Sequence, residues 1–185
     1  MSTESAAGAA AKHLAARPDR HTRPHQPAEP GFESLDAAHR AALHMLENFR
    51  LLLAQLDTGG LDSAAQQSAR DIMAYFNGPG RDHHAHEEQF VFPGLLATGD
   101  PELAGHVKRL LQDHGWIDED WRELSPQVEA IAAGYNWYDG AMLSAALPVF
   151  TALYQDHIAL EETVVYPAAR RQQDALGNRA PMSGC

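Results

Sequence analysis

Two stretches decide how this chain folds: His83-His84-Ala85-His86-Glu87-Glu88-Gln89-Phe90-Val91-Phe92-Pro93 and His157-Ile158-Ala159-Leu160-Glu161-Glu162-Thr163-Val164-Val165-Tyr166-Pro167. Both read HxxxEExxV[F/Y]P. Ahead of each lies a helical pattern with a leucine four residues before a histidine, Leu35 before His39 and Leu110 before His114. The spacing from His39 to His83 matches that from His114 to His157 to within one residue. The chain therefore reads as two copies of one helical hairpin, each with a lone histidine on its first helix and a His/Glu pair on its second.

Residues at i and i+4 stand above one another on a helix, so His83 with Glu87, and His157 with Glu161, converge on one point. That face is also the apolar one. His83 falls in register with Ile72, Phe76, Phe90 and Val91; His114 with Val107, Leu110, Leu111, Ile117 and Trp121; and His157 with Phe150, Leu153, Tyr154, Val164 and Val165. A buried carboxylate beside an imidazole is costly unless a positive charge compensates it, and a cation supplies that charge. Four imidazoles and two carboxylates from pseudo-symmetric halves suffice for two metal ions with the carboxylates between them. Glu88 and Glu162 lie about 100° further round the helix and read as solvated or as outer partners of the ligands, with Glu162 able to replace Glu161 if the last helix rotates. His84 stands next to the ligand face and is an auxiliary ligand or an outer partner. His44 competes with His39, but its neighbours are Glu47 and Asn48, whereas those of His39 are Ala42 and Leu43. His86 and His106 read as ordinary, partly exposed histidines.

Working outward, no alternating β-branched run is long enough for a strand, so the expected domain is all-α. One helix is expected over about 34–56 with Ser34 as N-cap, and a second over about 62–96 with a kink or break at Gly78-Pro79. A third spans about 101–124, with Asp100 as N-cap and Pro126 marking its end or a bend. A short helical piece and the aromatic loop 134–140 follow, and then a last helix over about 141–173. Four long helices with short connections read as an antiparallel up-down-up-down bundle over residues 32–174. Residues 1–31, rich in alanine, proline and charge, read as a disordered tail whose His13, His21 and His25 hold no fixed geometry. Residues 175–185 read as a flexible end carrying Cys185.

Composition narrows the function classes. The chain has 14 Lys+Arg against 25 Asp+Glu, a formal charge of −11, which opposes nucleic acid and anionic membrane as partners. No apolar run is long enough to span a bilayer and no secretory segment is evident, so the expected compartment is the cytoplasm. The single cysteine excludes an internal disulfide framework and a CxxC site. His86-Glu87 lacks the second histidine of a zincin protease, and the Glu-x-x-His pairs of ferritin-like carboxylate enzymes do not occur as a tetrad.

The ordered set Leu35-Asp36-Ala37-Ala38-His39, HHxxEExxVFP, Asp113-His114 and HIxxEExxVYP resembles the hemerythrin-like, or HHE cation-binding, domains over about residues 32–172. That resemblance implies a four-helix bundle holding two oxo- or hydroxo-bridged non-haem iron ions, with Zn or Mn as substitutes. Its ligands here would be His39, His83, Glu87, His114, His157 and Glu161, with an open position for dioxygen or nitric oxide. Two departures stand out. Oxygen carriers have a further histidine one turn before the third-helix ligand, where this chain has Leu110, and an aspartate where it has Glu162. The missing imidazole implies a more open, more symmetric centre completed by water, hydroxide or His84. The expected function is a binding or sensing module for dioxygen, nitric oxide or iron and redox state. The alternative is a di-iron enzyme with peroxidase, oxidase or ferroxidase activity.

Overall fold

The computed structural model describes residues 31–177; the tail over 1–30, with His13, His21 and His25, and the end over 178–185, with Cys185, lie outside the described residues. Within them the secondary structure is helical, with no strand. Helix α1 spans Phe32–Gly59, α2 Ser63–Asn77, α3 Pro79–His86, α4 Phe92–Leu96, α5 Pro101–Ala133, α6 Gly140–Leu160 and α7 Tyr166–Gly177. Five-residue π turns, Glu87–Val91 and Glu161–Val165, join α3 to α4 and α6 to α7. Four rods result: α1, α2 through α4, α5, and α6 through α7. Each packs on the next, and α1 also packs on α6.

Local chemistry sets most of the boundaries. Asp62, Asp100 and Asp139 cap α2, α5 and α6 by accepting from the amides of Ala65, Glu102 and Met142 at 2.8, 2.9 and 2.9 Å. Pro79 opens α3 after an interruption at Gly78, as the sequence predicts. Gly134, with φ 81°, closes α5 in the left-handed conformation.

Two boundaries differ from expectation. Helix α1 starts at Phe32 with Gly31 as N-cap, and Ser34 lies inside its first turn, its amide bonded to the Gly31 carbonyl at 2.8 Å. Helix α5 runs through Pro126 to Ala133. The ring there removes one backbone bond, but Leu124, Val128 and Ile131 are buried on either side of it, and that burial outweighs a penalty of about 3 kcal/mol.

The π turns precede Pro93 and Pro167 at matching positions. A proline cannot donate to the preceding turn and its ring crowds the carbonyl four residues back, and widening the turn by one residue relieves both. The Phe92 amide accordingly bonds to the Glu87 carbonyl, and the Tyr166 amide to the Glu161 carbonyl. The extra residue also rotates the downstream face. Phe90, expected inside, is 44% exposed, while Val91, Phe92 and Leu95 turn inward. Leu111, also expected inside, is partly exposed, and on α1 Leu43, an apolar neighbour of His39 in the sequence, is partly exposed while Leu52 lies fully in the core.

Two apolar clusters form the interior. One gathers Phe49, Ile72, Phe76, Ile117, Trp121, Phe150 and Tyr154. The other gathers Leu35, Phe92, Leu95, Val107, Leu110, Val165 and Tyr166. On each rod the buried histidines or glutamates fall, in sequence, between residues of one cluster and residues of the other. A polar layer is thus held between two apolar ones.

Candidate metal centre

The polar layer holds His39, His83, His84, Glu87, Asp113, His114, His157 and Glu161, all buried or nearly so. All six sequence-predicted ligands are in it. Their donor atoms fall into overlapping groups, each with all atoms within 4.8 Å of one another: His39, His83, Glu87 and Glu161 at one pole, and Glu87, His114, His157 and Glu161 at the other. Both glutamates belong to both groups, so they stand between the poles. Glu87 lies 3.6 Å from His83 of its own rod and 3.5 Å from His114 of the other half. Glu161 lies 3.2 Å from His157 of its own rod and 3.1 Å from His39 of the other half. Each hairpin's lone histidine therefore meets the opposite hairpin's glutamate.

Despite these separations, Nε2 of His83, His114 and His157, Oε2 of Glu87 and both carboxylate oxygens of Glu161 make no hydrogen bond. Buried polar atoms are nearly always partnered. Here they gather within 4.8 Å of one another without pairing, the arrangement of donors around shared central points. A donor set this rich in imidazole suits first-row transition ions better than Mg or Ca. The residues present thus fit a pair of such ions.

The outer partners fix the inner ones. His114 Nδ1–H donates to Glu88 at 2.8 Å, and His39 Nδ1–H donates to Glu162 at 3.0 Å, leaving each Nε2 lone pair facing inward. Glu88 and Glu162 are about half exposed, and Glu161 keeps the interior position that Glu162 was allowed as an alternative. Asp113 approaches His157 Nδ1 at 3.9 Å and is itself 3.7 Å from Arg109. His44 is exposed and bonded to Asn48, and His86 and His106 are partly exposed; all three stand outside the cluster.

The structure is less symmetric than the missing third-helix histidine implies. His84 stacks on His114 with ring centroids 4.1 Å apart and joins His114 and His157 in a three-imidazole group. An imidazole of α3 thus stands at the pole where the third helix has Leu110 in place of a further histidine. At the opposite pole Tyr166, buried to 1% exposure, stacks on His39 at 5.2 Å and donates its hydroxyl to Glu87. Sequence reasoning gave neither Tyr166 nor Asp113 a role. The Phe-to-Tyr difference between the two repeats and the Asp113-His114 dipeptide were the available signals.

Titration follows from burial and from these neighbours. Burial pushes His83 and His157 down to about 4 and His84 well below its ordinary value, so all three are neutral near pH 7 with lone pairs available. Burial opposes the protonation of His39 and His114 too, but Glu161 and Glu162 around the first, and Glu87 and Glu88 around the second, outweigh it and raise both. The two central carboxylates cannot both ionise without compensation. Burial and the charge of Glu87 push Glu161 up to about 8. For Glu87, burial is overcome by His114, His83 and the Tyr166 hydroxyl, and its value falls.

Two clefts reach the layer from outside. One of about 380 Å³ is lined by Arg81, His84, Glu88, His114, Gly115 and Asp118. The other, of about 260 Å³, is lined by Asp36, Arg40, Glu162, Tyr166, Pro167 and Arg170.

An all-helical domain with a buried layer of histidines and two shared glutamates defines a metal-binding helical protein. A family model for the hemerythrin HHE cation-binding domain matches residues 31–169. The chain belongs to that family. A Haemophilus influenzae protein described as uncharacterized is 28% identical over 130 residues, covering 70% of this chain and 73% of the relative. No solved structure matches the chain. Among the described residues, no helix is long and apolar enough to cross a membrane.

Proposed function

We propose that this domain is a non-haem di-iron protein that binds or senses dioxygen, nitric oxide or the cell's iron and redox state. One observation carries the reading: Glu87 and Glu161 are each shared between two buried donor groups in which Oε2 of Glu87, both oxygens of Glu161 and Nε2 of His83, His114 and His157 have no hydrogen-bond partner. His39, His83, Glu87, His114, His157 and Glu161 hold the pair of ions, with His84 as a further imidazole at the His114 pole. Glu88 and Glu162 orient the rings of His114 and His39. The apolar clusters change places along successive rods, which supports an antiparallel up-down-up-down bundle with the ions at mid-height.

A bound pair of iron ions would supply the electrons and the open coordination that a diatomic ligand needs. The chain's own contribution is to keep the donors dry, neutral and aimed. Burial keeps His83 and His157 unprotonated at neutral pH, and the apolar clusters exclude water above and below. The cleft at His84 and His114 gives a small ligand its approach. That cleft is larger than a diatomic requires, and its size favours the second reading, an enzyme acting on peroxide, a reduced substrate or ferrous iron.

Elemental analysis of the purified protein, followed by anaerobic reduction and optical titration with dioxygen or nitric oxide, tests the proposal. Two irons per chain and a stoichiometric spectral change without turnover are expected. Many turnovers per site with peroxide or ferrous iron would move the assignment to the enzyme. Stoichiometric zinc or manganese that iron cannot replace would refute it.

A further inference from the structure

The two repeats differ at two buried positions in or beside the polar layer. Where the first has His84 and Phe92, the second has Ile158 and Tyr166. His84 joins the His114 pole, and Tyr166 lies at the other. Phe92 stacks on His114 at 5.7 Å as Tyr166 stacks on His39 at 5.2 Å, so a bare phenyl ring fills this place in the fold. Packing does not call for the hydroxyl. A buried phenol is a burden on the fold unless its oxygen has a use.

The hydroxyl's surroundings indicate that use. Its oxygen is 3.1 Å from His39 Nε2 and bonded to Glu87 Oε1, and His39 Nε2 is in turn 3.1 Å from Glu161 Oε2. Neighbouring vertices of an octahedron with bonds of about 2.1 Å are separated by about 3 Å. The phenol oxygen thus stands from His39 Nε2 at the separation that neighbouring ligands to one ion keep from each other. With Nδ1–H donated to Glu162, the neutral ring of His39, the form that can coordinate, turns its Nε2 lone pair toward Tyr166. Two lone pairs side by side need something positive between them, either one shared proton or a cation.

We infer that Tyr166 is a ligand, its phenol oxygen coordinating the ion held by His39 and His83, with the O–H proton released to solvent as the oxygen–metal bond forms. This rests on the reading of the cluster as a centre for two ions and makes those ions chemically unlike. One pole offers two imidazoles and a hard phenol oxygen, the other three imidazoles, so a trivalent ion settles first at the Tyr166 pole.

The test is Tyr166→Phe, a side chain that Phe92 shows to fit, with ferric iron as the probe. The wild-type protein, loaded with two ferric ions, is expected to show a broad visible phenolate-to-iron absorption and resonance-enhanced tyrosinate ring vibrations. Tyr166→Phe is expected to lose both signals, and one of its two irons should pass to EDTA about 10-fold more readily or faster still. His84→Ile should keep the tyrosinate signature. The vibrational measurement on the wild type alone decides the matter should the variant fold poorly. Two bound irons without tyrosinate vibrations would overturn the role of Tyr166 and leave the metal centre standing. A wild-type protein that takes up no ferric iron would overturn both.

Discussion

Glu161→Gln tests the reasoning at the centre of the polar layer, because it should change stability in opposite directions with and without metal. In the metal-free fold, burial and the charge of Glu87 raise the Glu161 carboxyl from 4.5 to about 8. A folded-state value above the unfolded one means that stability is lost as pH climbs from 4.5 to about 8. At pH 7 the carboxyl is held neutral in the fold and ionised in the unfolded chain, a difference of about 3 kcal/mol at about 1.4 kcal/mol per pH unit. Glutamine is neutral in both states and avoids that loss. In EDTA at pH 7 the variant should therefore be more stable than the wild type by about 3 kcal/mol, roughly 10 °C in Tm for a domain of this size. With metal present the order should invert, since the variant lacks the carboxylate shared between the poles. Wild-type stability should rise by about 4 kcal/mol when free metal is about a thousand times its Kd, and the variant should gain little. Urea unfolding followed by circular dichroism, in EDTA and in ferrous iron under anaerobic conditions, measures both. A variant less stable than the wild type in EDTA that still gains the full metal increment would show that Glu161 is neither a burden on the metal-free fold nor shared between the ions.

Other expectations follow from the same layer. His84→Ile copies the residue at the equivalent position of the second repeat, so the fold should persist while one of two bound ions is weakened; metal stoichiometry against a graded chelator series reads this. Removing either outer carboxylate, by Glu88→Ala or Glu162→Ala, frees an imidazole to turn and should cost about 10–100-fold in metal affinity, measured by competition with a coloured chelator. Metal-free stability should peak near pH 6.5. Below it, His83 and His157, lowered from 6.5 to about 4, withdraw stability as the unfolded chain takes up protons first, and together they outweigh the opposite trend of Glu161; above it, His39 and His114, both raised, add their loss to that of Glu161, which continues to about 8. Urea midpoints from pH 4 to 9 check this, and a flat profile would count against it. In the apolar layer, Phe150→Ala removes a fully buried ring and should cost about 3–5 kcal/mol without changing metal stoichiometry.

The helical repeat made much of the site legible. An i,i+4 pair stays on one face whatever the rest of the chain does, and the choice of His39 over His44 followed from apolar neighbours alone. What failed to read through were features that depend on a shift of register or on contacts between rods. Phe90 and Leu111 belonged to the apolar stripe by counting, yet the π turn before Pro93 rotated the first outward, and the second borders the cleft between α3 and α5. Pro126 looked like a terminus because its local penalty is visible in the sequence and the compensating burial is not.

Tyr166, Asp113 and His84 mark the same divide. Each stands beside a residue the repeat singled out, but what each touches is set by a rod distant in sequence: Tyr166 by His39 of α1, Asp113 by His157 of α6, His84 by His114 of α5. The chain by itself determined the periodicity, the twin motifs and the six inward side chains, because helix geometry is local and hydrophobic patterning fixes which face is buried. The packed rods alone decided that each lone histidine meets the opposite repeat's glutamates, and that one pole has three imidazoles while the other has two and a phenol. Side-chain contacts between helices depend on their axial offset and rotation, which no spacing along one helix encodes.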